Sequence, residues 1–150
     1  SFISGVRPAA TYEAQGPMEL ESLLPARAAG AYAFGLRASA GMLELDPAPA
    51  VRAAAADRLA GRSAAFISAR LHAGLAAAAV SAAASIASGE GLDSICLSGG
   101  VFQNRTLLER VANGLAKKGF KVYSNRQVPA NDGGLALGQA WYALKGYRQG

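Results

Sequence analysis

The stretch Leu92-Asp-Ser-Ile-Cys-Leu-Ser-Gly-Gly-Val-Phe-Gln-Asn104 decides how the rest of the chain is interpreted. Its apolar run predicts a buried strand from Ser94 to Leu97, a turn at Ser98-Gly99-Gly100 and then a helix. Adjacent glycines allow backbone N–H groups to approach a ligand closely, because no Cβ intervenes. The helix adds unpaired N–H groups and the positive end of its dipole. The pattern suits a phosphate or another anion, but simple packing of a strand against a helix explains it equally well.

A second strand is predicted from Lys121 to Ser124, after a helix that should end at Gly119. A strand–helix–strand connection of this length joins parallel neighbours in a right-handed crossover. Ligands in α/β proteins bind beyond the carboxyl ends of such strands. Residues that follow the two strands should therefore converge on one crevice. They are Ser98, Gly99, Gly100, Asn104, Asp132, Gly133 and Gly134.

The segments before this unit predict one helix, an antiparallel hairpin and two further helices. Asp46 and Ser63 are the expected N-caps of the last two helices, since short polar side chains accept hydrogen bonds from the first turn. In chain order the elements are a helix with Pro17 at its first position and its end near Pro25, strands Tyr32–Leu36 and Met42–Leu45 around a turn at 39–41, a helix from Asp46 to about Ala60, and a helix from Ser63 to about Ser88, with Gly89 as its stop.

Composition narrows the class of protein. The 150 residues are 51% hydrophobic and 17% charged, which predicts a single ordered domain over residues 1–150. The net charge is +5, but the basic residues are scattered and only Lys117 and Lys118 are adjacent. Nucleic-acid binding needs a clustered basic patch with stacking aromatics, so no nucleic-acid partner is expected. The uncharged run from Ala73 to Gly89 is too weakly apolar and too short to span a bilayer, so no membrane partner is expected either.

Three side chains are candidates for a catalytic or metal-binding role, but the sequence pattern alone favours a structural role for each of them. Cys96 lies in the apolar strand, so a buried and inert thiol in a reducing, cytoplasmic setting is expected. His72 is the single histidine, so it cannot build a histidine-pair metal site within this chain. A structural role is favoured for it. Asp132 is either the N-cap of the last helix or a metal ligand, and the cap is favoured.

Four segments resemble one family. Leu97-Ser-Gly-Gly-Val-Phe-Gln-Asn104 and Arg126-Gln-Val-Pro-Ala-Asn-Asp-Gly-Gly-Leu-Ala-Leu-Gly-Gln139 closely resemble the end of the HypF-type hydrogenase maturation carbamoyltransferases. Tyr12-Glu-Ala-Gln-Gly-Pro-Met-Glu-Leu-Glu21 and Ile67-Ser-Ala-Arg-Leu-His72 resemble two earlier segments of that family. The resemblance covers nearly the whole chain in the right order. The chain departs from the family pattern at Ala14, at Gly16-Pro17 and at Leu71, where the family has Gly, Ala-Ala and Phe.

The resemblance implies an α/β fold, with a mixed sheet flanked by helices. The chain would be the C-terminal lobe of an actin-like, two-lobed ATPase fold similar to the TsaD-type threonylcarbamoyltransferases. It also implies an activity for the longer protein to which such a lobe belongs. HypF-type enzymes convert carbamoyl phosphate and ATP into carbamoyl-adenylate. They then pass the carbamoyl group to the C-terminal cysteine of HypE, towards the cyanide ligands of [NiFe]-hydrogenase.

By the same resemblance, the nucleotide would be contacted by Gly16, Ser98, Gly99, Gly100, Asn104 and Gly133. Asp132 becomes one ligand of a divalent metal (Mg, Fe or Zn), completed by a histidine pair in a first lobe outside this chain. The resemblance thus reverses the preference for a cap. The chain alone should be inactive, and no catalytic residue is assigned. Two alternatives stay open: a lobe that binds nucleotide or a partner without chemistry, and a lobe of another actin-like kinase or carbamoyltransferase.

Overall fold

The chain begins with a helix, a hairpin and two helices, and a strand–helix–strand unit follows the second of these, a long helix. The structure is a computed structural model that describes residues 3–25, 30–39 and 41–146. Its elements are α1 Gln15–Ser22, β1 Gly35–Ser39, β2 Met42–Asp46, α2 Ala48–Leu59, α3 Ala64–Gly89, β3 Ser94–Leu97, α4 Arg105–Lys117, β4 Lys121–Ser124 and α5 Leu135–Gly146, with single 3₁₀ turns at Gly100–Gln103 and Asp132–Gly134.

The strands pair in two separate sheets. β3 and β4 are parallel neighbours, with Ser94 opposite Lys121 and Leu97 opposite Ser124, so the predicted crossover unit is confirmed. β1 and β2 form the predicted antiparallel hairpin. The expected single mixed sheet is wrong for the described residues, because each sheet there has only two strands. The 26-residue helix α3 is about 39 Å long at about 1.5 Å per residue, and both strand pairs contact it, one through β1 and the other through β3.

α3 is the centre of the core. Its early residue Ile67 packs with Tyr32 and with the alanines of α2. Its later residues pack with β3 and α4, in a cluster of Ala76, Val80, Ala84, Leu97, Leu107, Val111 and Leu115. By length and composition α3 also resembles a membrane-spanning helix, as does no other helix in the described ranges. Its buried residues contribute to both core clusters, as expected of a core helix.

The predicted cap at Ser63 is confirmed, since its hydroxyl accepts from Phe66 N–H at 3.2 Å. The predicted cap at Asp46 is wrong by one residue: Pro47 is the N-cap of α2, although the Asp46 carboxylate accepts from Ala48 N–H at 2.9 Å. Pro17, however, is the third residue of α1 and not the first. The first predicted strand was placed too early: Tyr32 N–H donates to the carbonyl of Arg70 on α3, so the chain joins β2 only from Gly35. Ala40, in the predicted turn, lies outside the described residues.

One face of the β3–β4 sheet is uncovered. Ile95 and Leu97 face the core, but Cys96 and its strand partner Tyr123 are exposed. The prediction of a buried Cys96 is therefore wrong, because successive strand residues point to opposite faces and α3 and α4 cover only one of them. The last helix, α5, has no buried residue and exposes its apolar side chains. These are Leu135, Leu137, Trp141, Tyr142 and Leu144.

A buried tyrosine makes the stability of the chain sensitive to alkaline pH. Tyr32 is 2% exposed, and its hydroxyl donates to the Asp57 carboxylate at 2.7 Å. Burial, and then this hydrogen bond, raises the pKa of Tyr32 from 10.0 to about 12. Since the folded state holds the proton more tightly, its contribution to stability is complete below about pH 10 and is lost as the pH rises towards 12.

We therefore expect the free energy of unfolding of wild type to fall more steeply between pH 10 and pH 12 than that of Tyr32→Phe. Urea unfolding followed by circular dichroism at several pH values measures both slopes. Tyr142→Phe is the control, because Tyr142 is 80% exposed and should leave the slope unchanged. Equal slopes for wild type and Tyr32→Phe would contradict the prediction.

Candidate functional site

The loops that follow β3 and β4 lie side by side. Gly99 N–H donates to the carbonyl of Ala130 at 2.9 Å. A Cβ built on Gly100 would lie 4.0 Å from Cβ of Asn131. The expected neighbourhood of the two glycine segments is thus present, because parallel adjacent strands end at the same edge of their sheet.

The first loop has a backbone that only glycine adopts without strain. Gly99 has φ 103° and ψ 158°, a region essentially closed to residues with a Cβ. Its N–H group is committed to the second loop, so it is not free for a ligand. The N–H groups of Gly100 and Val101, which open the 3₁₀ turn, donate to no acceptor in the described part of the chain. α4 itself begins at Arg105, just beyond the predicted helix start at 102–104.

Asn104 joins this loop to the core. Its carboxamide oxygen accepts from Leu107 N–H at 2.8 Å and so caps α4. Its side-chain nitrogen lies 2.9 Å from Nε2 of His72 on α3. His72 is buried, and its Nδ1 lies 2.9 Å from the carbonyl oxygen of Ser68. Because a carbonyl only accepts, Nδ1 carries the proton, and Nε2 accepts from Asn104.

The role favoured for His72, structural and not metal-binding, agrees with this burial, but its contact with a predicted site residue was not foreseen. The two residues are 32 positions apart, and no local pattern links them. The only available sign was that a lone histidine on a buried helix face needs polar partners for its ring nitrogens.

α1 is tied to the same place. The Glu21 carboxylate accepts from Thr106 N–H at 3.0 Å, and the Ser68 hydroxyl donates to the carbonyl of Leu20. Gly16 is buried in the first turn of α1. Five positions separate Gly16 from Glu21, about 7.5 Å along a helix. The structure therefore brings the helix of Gly16 to the start of α4 through Glu21.

The second loop corrects the interpretation of Asp132. Asn131 is the N-cap of the short turn, and its side-chain oxygen accepts from Gly133 N–H at 3.1 Å. Asp132 is the next residue and does not cap. It is exposed, and its carboxylate makes no hydrogen bond or ion pair with the residues that the structure describes. Of the alternatives weighed from the sequence, the cap is wrong, and the carboxylate is available to a ligand.

Gly134 has a packing reason to be glycine. A Cβ at this position would lie 2.5 Å from the carbonyl oxygen of Pro129, closer than real contacts allow. Gly133 is less constrained, with the Asn131 side-chain oxygen 3.1 Å from its notional Cβ. Gly134 therefore shapes the loop, while Gly133 belongs to its exposed surface.

The two loops form an open surface on the described residues and not a closed crevice. A depression of about 590 Å³ is lined by residues 122–128, from β4 to the start of the second loop. None of the predicted site residues lines it. Within residues 3–25, 30–39 and 41–146 there is also no cluster of three His, Cys, Asp or Glu side chains that could hold a metal ion.

Residues 1–139 match the family described as "Carbamoyltransferase, Kae1-like Domain, second subdomain". The chain belongs to this carbamoyltransferase family. The resemblance to the HypF type is confirmed by the curated relatives. "Carbamoyltransferase HypF" of Rhizobium leguminosarum bv. viciae is 37% identical over 143 residues, which are 94% of this chain and 18% of the relative. "Carbamoyltransferase HypF2" of Cupriavidus necator is 38% identical over 101 residues, 67% of this chain and 12% of the relative.

Solved structures agree with this family. A full-length HypF in its phosphate- and nucleotide-bound form matches with a TM-score of 0.88 and 39% identity, over 95% of this chain and 19% of that chain. HypF of T. kodakarensis matches with a TM-score of 0.68 and 24% identity, over 91% of this chain and 18% of that chain, and shows the fold alone. The chain thus spans between 12% and 19% of the length of these HypF proteins.

Proposed function

We propose that the chain is the nucleotide-binding second subdomain of a longer HypF-type carbamoyltransferase. The support is the family match over residues 1–139 together with the two adjacent glycine loops at the carboxyl ends of β3 and β4. The observation that carries the proposal is the pairing of Gly99 N–H with Ala130, because it holds two anion-compatible loops against each other. The HypF structure with 39% identity is in a phosphate- and nucleotide-bound form, which supports nucleotide binding by the longer protein.

The nucleotide phosphates fit the first loop. Gly100 and Val101 offer N–H groups that have no acceptor among the described residues, and backbone N–H groups at a turn before a helix favour anions. In this proposal Ser98, Gly99, Gly100 and Gly133 line the phosphates. Asn104 and Gly16 contact the ribose or base, because both lie on elements held against α3 beside that loop.

A divalent metal fits the second loop. The Asp132 carboxylate is exposed and has no partner among the described residues, and hard cations prefer carboxylate oxygens. Such a metal, when bound, neutralises phosphate charge and polarises the reacting oxygen. One carboxylate does not hold a catalytic metal alone. The remaining ligands, a histidine pair in this proposal, would come from the first subdomain, and the metal is Mg, Fe or Zn.

The family match supports a proposal for the reaction of the whole protein. We propose that the longer enzyme uses carbamoyl phosphate and ATP to carbamoylate the C-terminal cysteine of HypE in the cytoplasm, for [NiFe]-hydrogenase maturation. The role of this chain is to hold ATP and one metal ligand against the first subdomain. We expect the chain alone to be inactive, because its described residues include no cluster of three His, Cys, Asp or Glu side chains that could hold the metal.

The test is complementation. A full-length protein that carries this chain is truncated before it, and the chain is added back in trans. We expect carbamoyl-phosphate-dependent consumption of ATP to be absent from each part and restored by the mixture. Restored ATP binding without turnover would indicate that the chain is a binding module that takes no part in the chemistry. If the intact protein binds ATP and the mixture of the two parts does not, the proposal that this chain binds nucleotide as a separately folded part would be contradicted.

The isolated chain should bind ATP poorly. Residues 98–100 and 131–133 of its two loops are exposed, so the phosphates stay largely solvated and few contacts offset the lost freedom of the ligand. We expect the Kd for magnesium-ATP to be weaker than about 10 μM, about −7 kcal/mol. Isothermal titration calorimetry measures it, with the full-length protein as the control. A Kd below 10 μM for the chain alone would contradict this expectation.

A further inference from the structure

A polar network where α1, α3 and α4 meet holds Asn104, which is one of the residues predicted to contact the nucleotide. Asn104, at the start of α4, contacts Nε2 of His72 on α3 at 2.9 Å. His72 is itself bonded through Nδ1 to the Ser68 carbonyl, and the Ser68 hydroxyl donates to Leu20 of α1. Ser68 is fully buried, and His72 is 7% exposed. We propose that His72 is a positioning residue that orients the Asn104 carboxamide for the nucleotide, an inference that rests on the proposed function.

The geometry selects one orientation of Asn104. Its oxygen faces the Leu107 N–H donor, and its nitrogen faces the His72 Nε2 acceptor. A carboxamide turned over by 180° would set acceptor against acceptor and donor against donor, so both hydrogen bonds would be lost together. In the observed orientation the second side-chain N–H of Asn104 has no acceptor within the described part of the chain. Asn104 therefore offers a single fixed donor, which suits a hydrogen-bond acceptor of the nucleotide such as a ribose hydroxyl oxygen or a ring nitrogen.

The histidine is held as firmly as the asparagine. The Ser68 carbonyl keeps the proton on Nδ1, so Nε2 stays an acceptor. Packing alone does not account for this arrangement, because an apolar side chain would fill the same space without needing two buried polar partners. The imidazole ring thus links α3 to Asn104, at the end of the loop that follows β3.

The experiment measures magnesium-ATP binding to the full-length protein that carries this chain. His72→Phe keeps a ring but removes the acceptor, and we expect its Kd for ATP to rise about tenfold, the size of one lost hydrogen bond. His72→Gln places an acceptor oxygen near the position of Nε2, and should keep the Kd within about threefold of wild type. Ile67→Ala is the control, since it weakens the same buried helix without touching Asn104.

A double-mutant comparison separates positioning from stability. Asn104→Ala should raise the Kd about tenfold, and adding His72→Phe to it should raise the Kd no further. An equal further loss in the double variant would overturn the proposal, and so would an unchanged Kd in His72→Phe. If His72→Phe does not fold, His72→Leu serves in the same comparison, with thermal melting as the check.

The outcomes also distinguish this inference from the proposed function. If wild type binds ATP and Asn104→Ala binds it equally well, the nucleotide-binding function stands and the role of His72 falls. If full-length wild type binds no ATP, the proposed function fails, and the inference fails with it. A Kd raised equally by Ile67→Ala and His72→Phe would show that loss of stability explains the effect, which would also overturn the inference.

Discussion

Asp132→Asn, made in the full-length protein, is expected to lower carbamoyl transfer by more than about a hundredfold, since even outer partners of a metal site change activity by 10- to 100-fold. The reason is specific to this loop. Asn131 and not Asp132 caps the turn, and the Asp132 carboxylate has no partner among the described residues. The substitution therefore removes only a negative charge. Turnover and metal content should fall together, measured by ATP consumption and elemental analysis.

Two variants control for this substitution. Asp93→Asn makes the same chemical change at the opposite end of β3, where the carboxylate pairs with Lys121, and should leave turnover unchanged. Asn131→Ala removes the cap and should cost the isolated chain about 1 kcal/mol while its full-length form keeps its metal. The melting temperature of metal-free Asp132→Asn should equal that of wild type. Normal turnover with full metal occupancy in Asp132→Asn would refute the ligand assignment.

Gly99→Ala is expected to lower the stability of the chain, whereas Gly100→Ala is expected to weaken ATP binding. At Gly99 there is space for a methyl group, with nothing within 4 Å, but its φ of 103° is strained for alanine. We expect a loss of about 1–3 kcal/mol of stability. Gly100 has an ordinary φ and a nearest neighbour 4.0 Å from its notional Cβ, so alanine should leave stability unchanged. If a phosphate approaches the backbone there, the added methyl group should raise the Kd for ATP at least about tenfold.

Urea unfolding of the chain and ATP titration of the full-length protein separate the two effects. Each variant is the control for the other, because Gly99→Ala tests the backbone conformation and Gly100→Ala tests whether a phosphate approaches the backbone. An unchanged ATP affinity in Gly100→Ala would remove that glycine from the phosphate site. A fully stable Gly99→Ala would mean that the loop has another accessible conformation.

The fold was predictable wherever local pattern and chain topology suffice. The apolar run Ser94–Leu97, the crossover helix and Lys121–Ser124 specify a parallel pair, because a short right-handed crossover has little alternative. The Ser63 cap was also predictable, because its hydrogen bond joins two residues that are only three positions apart in the sequence. The mixed sheet was not realised, since the hairpin and the parallel pair are separate two-stranded sheets that each contact α3. No local pattern reports on that separation.

The sequence by itself determined that the loops after β3 and β4 are neighbours, because parallel strands bring their carboxyl ends to one edge. Only the tertiary structure decided what each side chain does there. Asn131 and Asp132 are adjacent and near-equal as caps, so their roles depend on the turn's backbone. The contact of His72 with Asn104 spans 32 positions and depends on how α3 packs against α4. Such a contact is fixed by the packing of side chains between elements, which periodicity and local hydrogen bonding do not encode.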